Sequence, residues 1–347
     1  MNIGQLIIET LTNEDLMSAI ASSVIIILLG YYLRKKGTLN ETAAKTLSAV
    51  LLSAAVPALA FSAFMQDINP DTLRQSINVL IWGILVYILL IVVTKPIYSK
   101  YTGEKQDVLR VLTIFGSTTF FGIPIIAAIY GAEGAMLAAV FNIGYRIFLY
   151  SYGYIKMSGL KMERKNIKTM ILNPIVLATF LGLFIWVSQD YLPQVTVGES
   201  TVAFLRVDQT LAWLYRPVTF LSNLASPLAW LSIGATLAEI SLGQAAKEKD
   251  SWYYTFIKIM MVPLINLVVL TILTVTGIMP VSFVALATMI IMMATPTATV
   301  AAAYAIGFDK EALLTSNCSL LSTIVAVFAM PLWIVILEII NGLNIFM

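Results

Sequence analysis

The sequence predicts an all-α polytopic membrane protein: ten transmembrane helices in two inverted five-helix repeats, with broken helices four and nine crossing. Three observations carry this. The 347-residue chain is 59% hydrophobic and only 12% charged, against about 25% charged residues in a soluble domain, and its mean hydropathy is +0.88. Apolar stretches close to the ~20 residues that a helical span requires recur ten times. Two prolines in small-residue stretches, Pro57 and Pro124, are followed by two more, Pro227 and Pro296, at offsets of 170 and 172 residues.

The first five spans fall near 16–33, 42–64, 73–96, 108–130 and 134–157. The second five fall near 172–187, 217–240, 253–276, 282–306 and 311–340. This divides the chain into a first unit, 1–158, and a second, 172–347. Most connections are short. The longest polar gap, 188–216, contains a stretch from Thr201 to Tyr215 that mixes Phe204, Leu205, Leu211 and Trp213 with charges, a pattern expected to lie along the membrane interface. The N-terminus carries Glu9, Glu14 and Asp15 and lacks the basic start of a cleaved signal peptide, so the first helix is expected to be retained.

Lys and Arg set the orientation. With the N-terminus outside, one set of loops holds Arg34, Lys35, Lys36 and Lys45; Lys95, Lys100, Lys105 and Arg110; Lys156, Lys161, Arg164, Lys165 and Lys168; Lys247, Lys249 and Lys258; and Lys310. The other side holds only Arg74, Arg206 and Arg216. This asymmetry fits ten spans with both termini extracytoplasmic. Five spans per unit is an odd number, so the second unit inserts upside down.

Composition also excludes chemistry. The chain has no His and a single cysteine, Cys318, which removes His bases, His metal sites and internal disulfides. Cys318 reads as a small packing residue. A lipid-modifying enzyme would need converging acids or a nucleophile with its base, and neither pattern is present. A net charge of +2 gives no reason to expect nucleic acid, and no cofactor or metal is expected.

Span four reads Gly116-Ser-Thr-Thr-Phe-Phe-Gly-Ile-Pro124, and span nine Met293-Ala-Thr-Pro-Thr-Ala-Thr299. Proline removes a backbone hydrogen bond and clashes with the preceding turn. One such proline is most simply a kink. Two at repeat spacing, each near mid-span, predict helices that break at Pro124 and Pro296 and expose amide N–H groups to an anion. Ser117, Thr118, Thr119, Thr295 and Thr297 are then candidate donors to a substrate, although hydroxyls in such helices also bond to their own backbone. Gly131-Ala-Glu133 and Gly307-Phe-Asp309 follow the two spans and suggest matching glycine caps.

Arg146 is the one charge that the sequence places in mid-span. It lies eleven residues before Met157, about 16 Å along a helix. It is read as a counter-charge for an anionic substrate or a gating residue, the alternative being pairing to a carbonyl or carboxylate or snorkelling to the headgroups. Asn142, one turn earlier, either binds substrate or ties two helices together. Acids sit at or near span ends, as Glu133, Glu239, Asp309, Glu311 and Glu338 do. A relay of protons through a buried acid is therefore unsupported, and uniport or sodium coupling is favoured.

In its ordered motifs the chain resembles the auxin efflux carrier family, which includes bacterial malate and malonate carriers and is related to bile acid–sodium symporters. The carrying residues are Gly116–Pro124, Asn173-Pro174, Ala225-Ser-Pro-Leu-Ala-Trp-Leu-Ser-Ile-Gly-Ala-Thr-Leu237 and Met293–Thr299. The resemblance implies helices four and nine crossing at their prolines, a scaffold of helices one, two, six and seven, and a transport unit from the other six. It implies elevator-like alternating access, often as a homodimer, in a bacterial plasma membrane. Sodium, where used, would bind carbonyls and hydroxyls at the crossing. Many members carry Asn where this chain has Ser117, and the long hydrophilic loop of plant auxin carriers is missing. The expected function is secondary transport of a small organic carboxylate, auxin-like or malate/malonate-like; the alternative is a non-transporting sensor of such ligands.

Overall fold

The computed structural model describes residues 12, 14–159, 172–238, 247–343 and 346. Lys161, Arg164, Lys165 and Lys168, together with Glu9 and Glu239, fall outside them.

Helix α1 is Glu14–Lys35. Helix α2 starts at Glu41–Val50, widens through a π-helical turn at Leu51–Ala55 and continues as Val56–Ser62. Helix α3 is Pro70–Ile97 and α4 is Gly103–Ile114. Helix α5, Thr118–Ser158, is interrupted at Gly131, whose φ of 61° is left-handed. Helix α6 is Pro174–Ser188, α7 Val207–Thr210 and α8 Ala212–Ala238. Helix α9 is Lys249–Val275, α10 Phe283–Met293, α11 Thr299–Gly307 and α12 Ala312–Asn341. Five of these, α3, α5, α8, α9 and α12, are long and apolar enough to cross a membrane. The protein is thus a mostly helical, multi-pass membrane protein.

Local sequence explains the starts. Asn40, Asn69 and Asn173 accept from the amides of Ala43, Thr72 and Ile175 at 2.8, 2.8 and 3.0 Å, and Ser282 accepts from Ala285 at 3.2 Å. These side chains satisfy amides that have no helical partner. Pro70 and Pro174 follow two of these caps, at a position where a missing N–H costs nothing.

Packing sorts the helices. Helix α1 lies along the second half of α8, and α2 packs against α6. Helix α3 lies along the second arm of α5, and α9 packs on α10 and α12. The α1–α8 contact needs glycine. A Cβ at Gly234 would collide with the carbonyl oxygen of Ile27, so the backbones approach as small residues allow.

Two expectations are corrected here. Thr201–Tyr215 is not one interfacial stretch. Its start forms strand β2, Ser200–Ala203, paired antiparallel with β1, Gln194–Val197, so a hairpin accompanies the helices. Behind it the Arg206 guanidinium, 3% exposed, donates to Asp67 at 2.7 Å and Asp208 at 2.9 Å. Burial opposes that charge, but the two carboxylates outweigh it and raise the Arg206 pKa. The glycine caps are also only half matched. Gly131 is left-handed, whereas after α11 Asp309 (φ 55°) and Glu311 (φ 47°) take that conformation and Gly307 remains helical.

Candidate binding site at two broken helices

Helix α4 ends at Ile114, and the chain runs extended through Phe115, with φ −103° and ψ 110°, before α5 begins at Thr118. Helix α10 ends at Met293, and the chain does not become helical again until Thr299. These interruptions meet. Gly116 and Thr297 form an antiparallel β-bridge. The Ser117 amide donates to the Pro296 carbonyl at 2.7 Å, and the Ala298 amide to the Phe115 carbonyl at 3.0 Å. Backbone groups that lost their helical partners thereby satisfy one another across the crossing, as an apolar surrounding requires.

Gly116 makes the approach possible. A Cβ there would overlap the Thr295 hydroxyl and stand 2.9 Å from the Lys258 ammonium nitrogen. Phe115 anchors the same segment, stacked on Tyr87 with ring centroids 5.8 Å apart and edge-on to Tyr145 at 6.0 Å.

The expectation that both helices break at their prolines needs correction. Pro296 lies in its break. Pro124 does not: it sits in the first turn of regular α-helix beginning at Ile123, after the π-helical turn Thr118–Gly122. The break in span four is at Phe115–Ser117, where glycine and an extended Phe replace proline. The Pro124 carbonyl accepts from the Ser226 hydroxyl of α8 at 2.8 Å.

A cavity of about 450 Å³ opens beside the crossing. Ser117, Thr119, Arg146, Pro296 and Thr297 line it, with Tyr145, Tyr150, Asn173, Thr299, Val300, Ser319 and Thr323. The first amides of α11 have no partner within their own helix, which leaves Thr299 and Val300 N–H groups at the cavity wall. Helix dipole and amides together favour an anion there.

Arg146 is 8% exposed and donates to the Thr119 hydroxyl at 3.4 Å. It also borders a second, apolar cavity of about 270 Å³ with Asn142, Val176, Thr179 and Phe180. No carboxylate pairs with it among the described residues. Asn142 faces this second cavity. It accepts from the Thr118 hydroxyl at 2.7 Å and donates to Thr119 at 3.3 Å, so it ties α5 to its own first turn.

The other candidates divide. Thr118 is fully buried on Asn142 and does not reach the main cavity. Thr295 donates back to the Met292 carbonyl at 2.8 Å, beneath Gly116. The Thr297 hydroxyl is shared with Tyr254 at 2.6 Å and Ser322 at 2.9 Å.

Sequence reasoning missed Lys258. Counted there as a loop lysine, it is fully buried in the π-helical turn Ile257–Met261 of α9. Its ammonium donates to the Thr113 carbonyl at 3.0 Å. Arg146 is therefore not the one buried cation of the spans. The available signal was position: Lys258 falls inside the predicted span 253–276, not in the loop with which it was counted.

Two interrupted helices meeting beside a cavity are the centre of this multi-pass membrane protein, and the comparisons give its class as a transporter. Residues 15–169 and 158–334 match the Membrane transport protein family, which holds the auxin efflux carriers, and the chain belongs to it. An uncharacterized transporter of Methanothermobacter thermautotrophicus is 26% identical over 328 residues, covering 92% of this chain and 97% of the relative. An uncharacterized transporter of Methanocaldococcus jannaschii is 23% identical over 240 residues, 65% of this chain and 70% of that one.

Proposed function

We propose that the protein is a secondary carrier for small organic carboxylates, either an auxin-like monocarboxylate or a malate- or malonate-like dicarboxylate. The observation that carries this reading is the cavity at the crossing. It joins free N-terminal amides of α11, the Ser117 and Thr119 hydroxyls and the Arg146 guanidinium, with no carboxylate among its lining residues. Such a site is net positive and rich in donors, which suits carboxylate oxygens.

Ten spans in two inverted five-helix repeats remain our reading of the architecture, with both termini outside the plasma membrane. The antiparallel bridge between Gly116 and Thr297 supports it, since segments related by inversion meet head-on. Transport follows an elevator-like path in this reading. The packing of α1 on α8 and α2 on α6 supports a scaffold from helices one, two, six and seven. The close pairing of α3 with α5, and of α9 with α10 and α12, supports a separate moving unit. A homodimer forms through the scaffold, surrounded by lipid.

The test is uptake into proteoliposomes of labelled malate, malonate and indole-3-acetate, paired with a thermal-shift screen of the purified protein. Saturable uptake of at least one carboxylate is expected. Stabilisation by a carboxylate without any flux selects the sensor instead, and no response to any carboxylate rejects the site.

A further inference from the structure

Lys258 lies against the crossing at Gly116 and does not line the cavity. Its only hydrogen-bond acceptor among the described residues is the Thr113 carbonyl at 3.0 Å, which leaves two N–H donors of a fully buried ammonium without a partner. It stands one backbone layer from Ser117: a Cβ on Gly116 would lie 2.9 Å from its nitrogen.

Among the described residues no carboxylate pairs with it. Helix α4 presents Thr113, whose hydroxyl is bonded to Tyr98, just past α3, at 2.8 Å. The break after α10 presents Thr295, bonded back to the Met292 carbonyl. On its own helix Tyr254, one turn earlier, is bonded to the Leu112 carbonyl and to Thr297. Helix α12 contributes Cys318, in contact with Ser251. The carboxylates of this side are engaged elsewhere. Asp107 pairs with Lys156 at 3.0 Å, Asp250 with Lys105 at 2.6 Å, and Glu248 accepts from Asn317 at 2.7 Å. Arg110 is turned to the Ile91 carbonyl at 2.8 Å.

We propose that Lys258 is a proton-binding site coupled to the carboxylate, so that the carrier moves one proton with each anion. This rests on the carboxylate reading of the cavity. An isolated ammonium in an apolar interior is costly unless an opposite charge arrives. A lysine, unlike a guanidinium, can give up its proton. Arg146 therefore supplies a fixed charge and Lys258 a variable one. When the anion docks at Ser117 and the α11 amides, the free amine takes a proton from the water on the entry side. Ammonium and carboxylate then cross together; on the far side the anion leaves, the ammonium gives its proton to water there, and the amine is restored. By linkage the anion raises proton affinity by the same factor as the proton raises anion affinity. The coupling thus comes from a buried base, which explains how a span region without acids can carry protons.

The experiment uses proteoliposomes with a pH dye inside and malonate outside, with protein-free vesicles as the control for leak. Wild type is expected to acidify the lumen as malonate enters, and an inward proton gradient is expected to drive malonate uphill. Lys258→Arg, locked as a cation, is expected to pass malonate down its own gradient with no acidification. Lys258→Met is expected to bind malonate at least tenfold more weakly, with no proton movement. Carboxylate flux through wild type without acidification, or an unchanged proton signal in Lys258→Arg, overturns the proposal and leaves the transport reading standing. If no carboxylate binds or moves in wild type, the transport reading fails and this one with it. The wild-type measurement decides even where a variant does not fold.

Discussion

At the break between α4 and α5 the chain turns at Gly116; at the break between α10 and α11 it turns at Pro296. The first achieves its crossing by the absence of a side chain, the second by the absence of an amide proton. Gly116 lets Thr295 and Lys258 come within contact of its backbone. Pro296 offers a carbonyl in an extended segment, which the Ser117 amide takes at 2.7 Å. Their supports differ too. The first break is braced on α5, through Thr118 and Thr119 to Asn142 and Arg146. The second is braced on α9 and α12, through Thr297 to Tyr254 and Ser322. One crossing is thus held from two sides by unrelated chemistry.

The largest effect is expected from Gly116→Ala. The added methyl meets the Thr295 hydroxyl within the bridge, and overpacking of a tight core costs about 1–3 kcal/mol. The bridge cannot form without moving α4 from α10. Carboxylate uptake should fall to background while the protein still purifies as a single species from the membrane. Wild-type uptake by this variant ends the argument for close approach.

The two prolines should then separate. Pro296→Ala returns an amide to a run, Met293–Ala303, otherwise made of residues that tolerate a helix. The segment can close into a continuous α10–α11 helix and withdraw the acceptor of Ser117. Uptake is expected to drop to near background. Pro124→Ala changes a position inside continuous helix, just after the π-helical turn of α5 and outside the bridge, so uptake should stay well above that of Pro296→Ala. Equal losses in both variants would show that the sequence symmetry, not the observed break, decides function.

That contrast shows how far the sequence could be read. The multi-pass helical character was legible because apolar runs of membrane length have few other uses, and five such helices are present; Ser117, Thr119, Arg146, Pro296 and Thr297 do meet at one cavity. The position of the first break was not, because Gly-Ser-Thr-Thr is compatible with helix and only the approach of Thr295 and Pro296 from a distant segment makes it extended. Nor was Lys258: in sequence it sits barely beyond one turn into the predicted span 253–276, and its inward turn is met by the α4 carbonyl at Thr113. The hairpin Gln194–Ala203 escaped because its strands are only four residues each and the alternation in β1, Gln194–Val197, is exposed on both faces.

Arg146 belongs only to the first break, so its loss tests whether that side faces the anion. A hydrogen bond to a charged group contributes about 1.5–3 kcal/mol. Arg146→Gln, which keeps donors and removes the charge, should weaken carboxylate binding roughly 10- to 100-fold on that basis. Isothermal titration with malonate measures it. Unchanged affinity would move the anion away from α5 and towards the α11 amides alone.

The smallest effect is the sharpest in location. Thr118 and Thr119 are neighbours on one turn, yet only Thr119 lines the cavity and receives Arg146, while Thr118 is buried on Asn142. Thr119→Val removes the hydroxyl that orients the guanidinium; at about 1 kcal/mol for a neutral hydrogen bond, malonate affinity should fall about fivefold with little change in melting temperature. Thr118→Val leaves the Asn142 carbonyl oxygen buried without its donor. That should lower the melting temperature by several degrees, for ~1–3 kcal/mol of unmet polar burial, and leave affinity nearly unchanged. If the two variants exchange these phenotypes, the first turn of α5 is rotated in the functional state, and the cavity wall described here is not the wall the substrate meets.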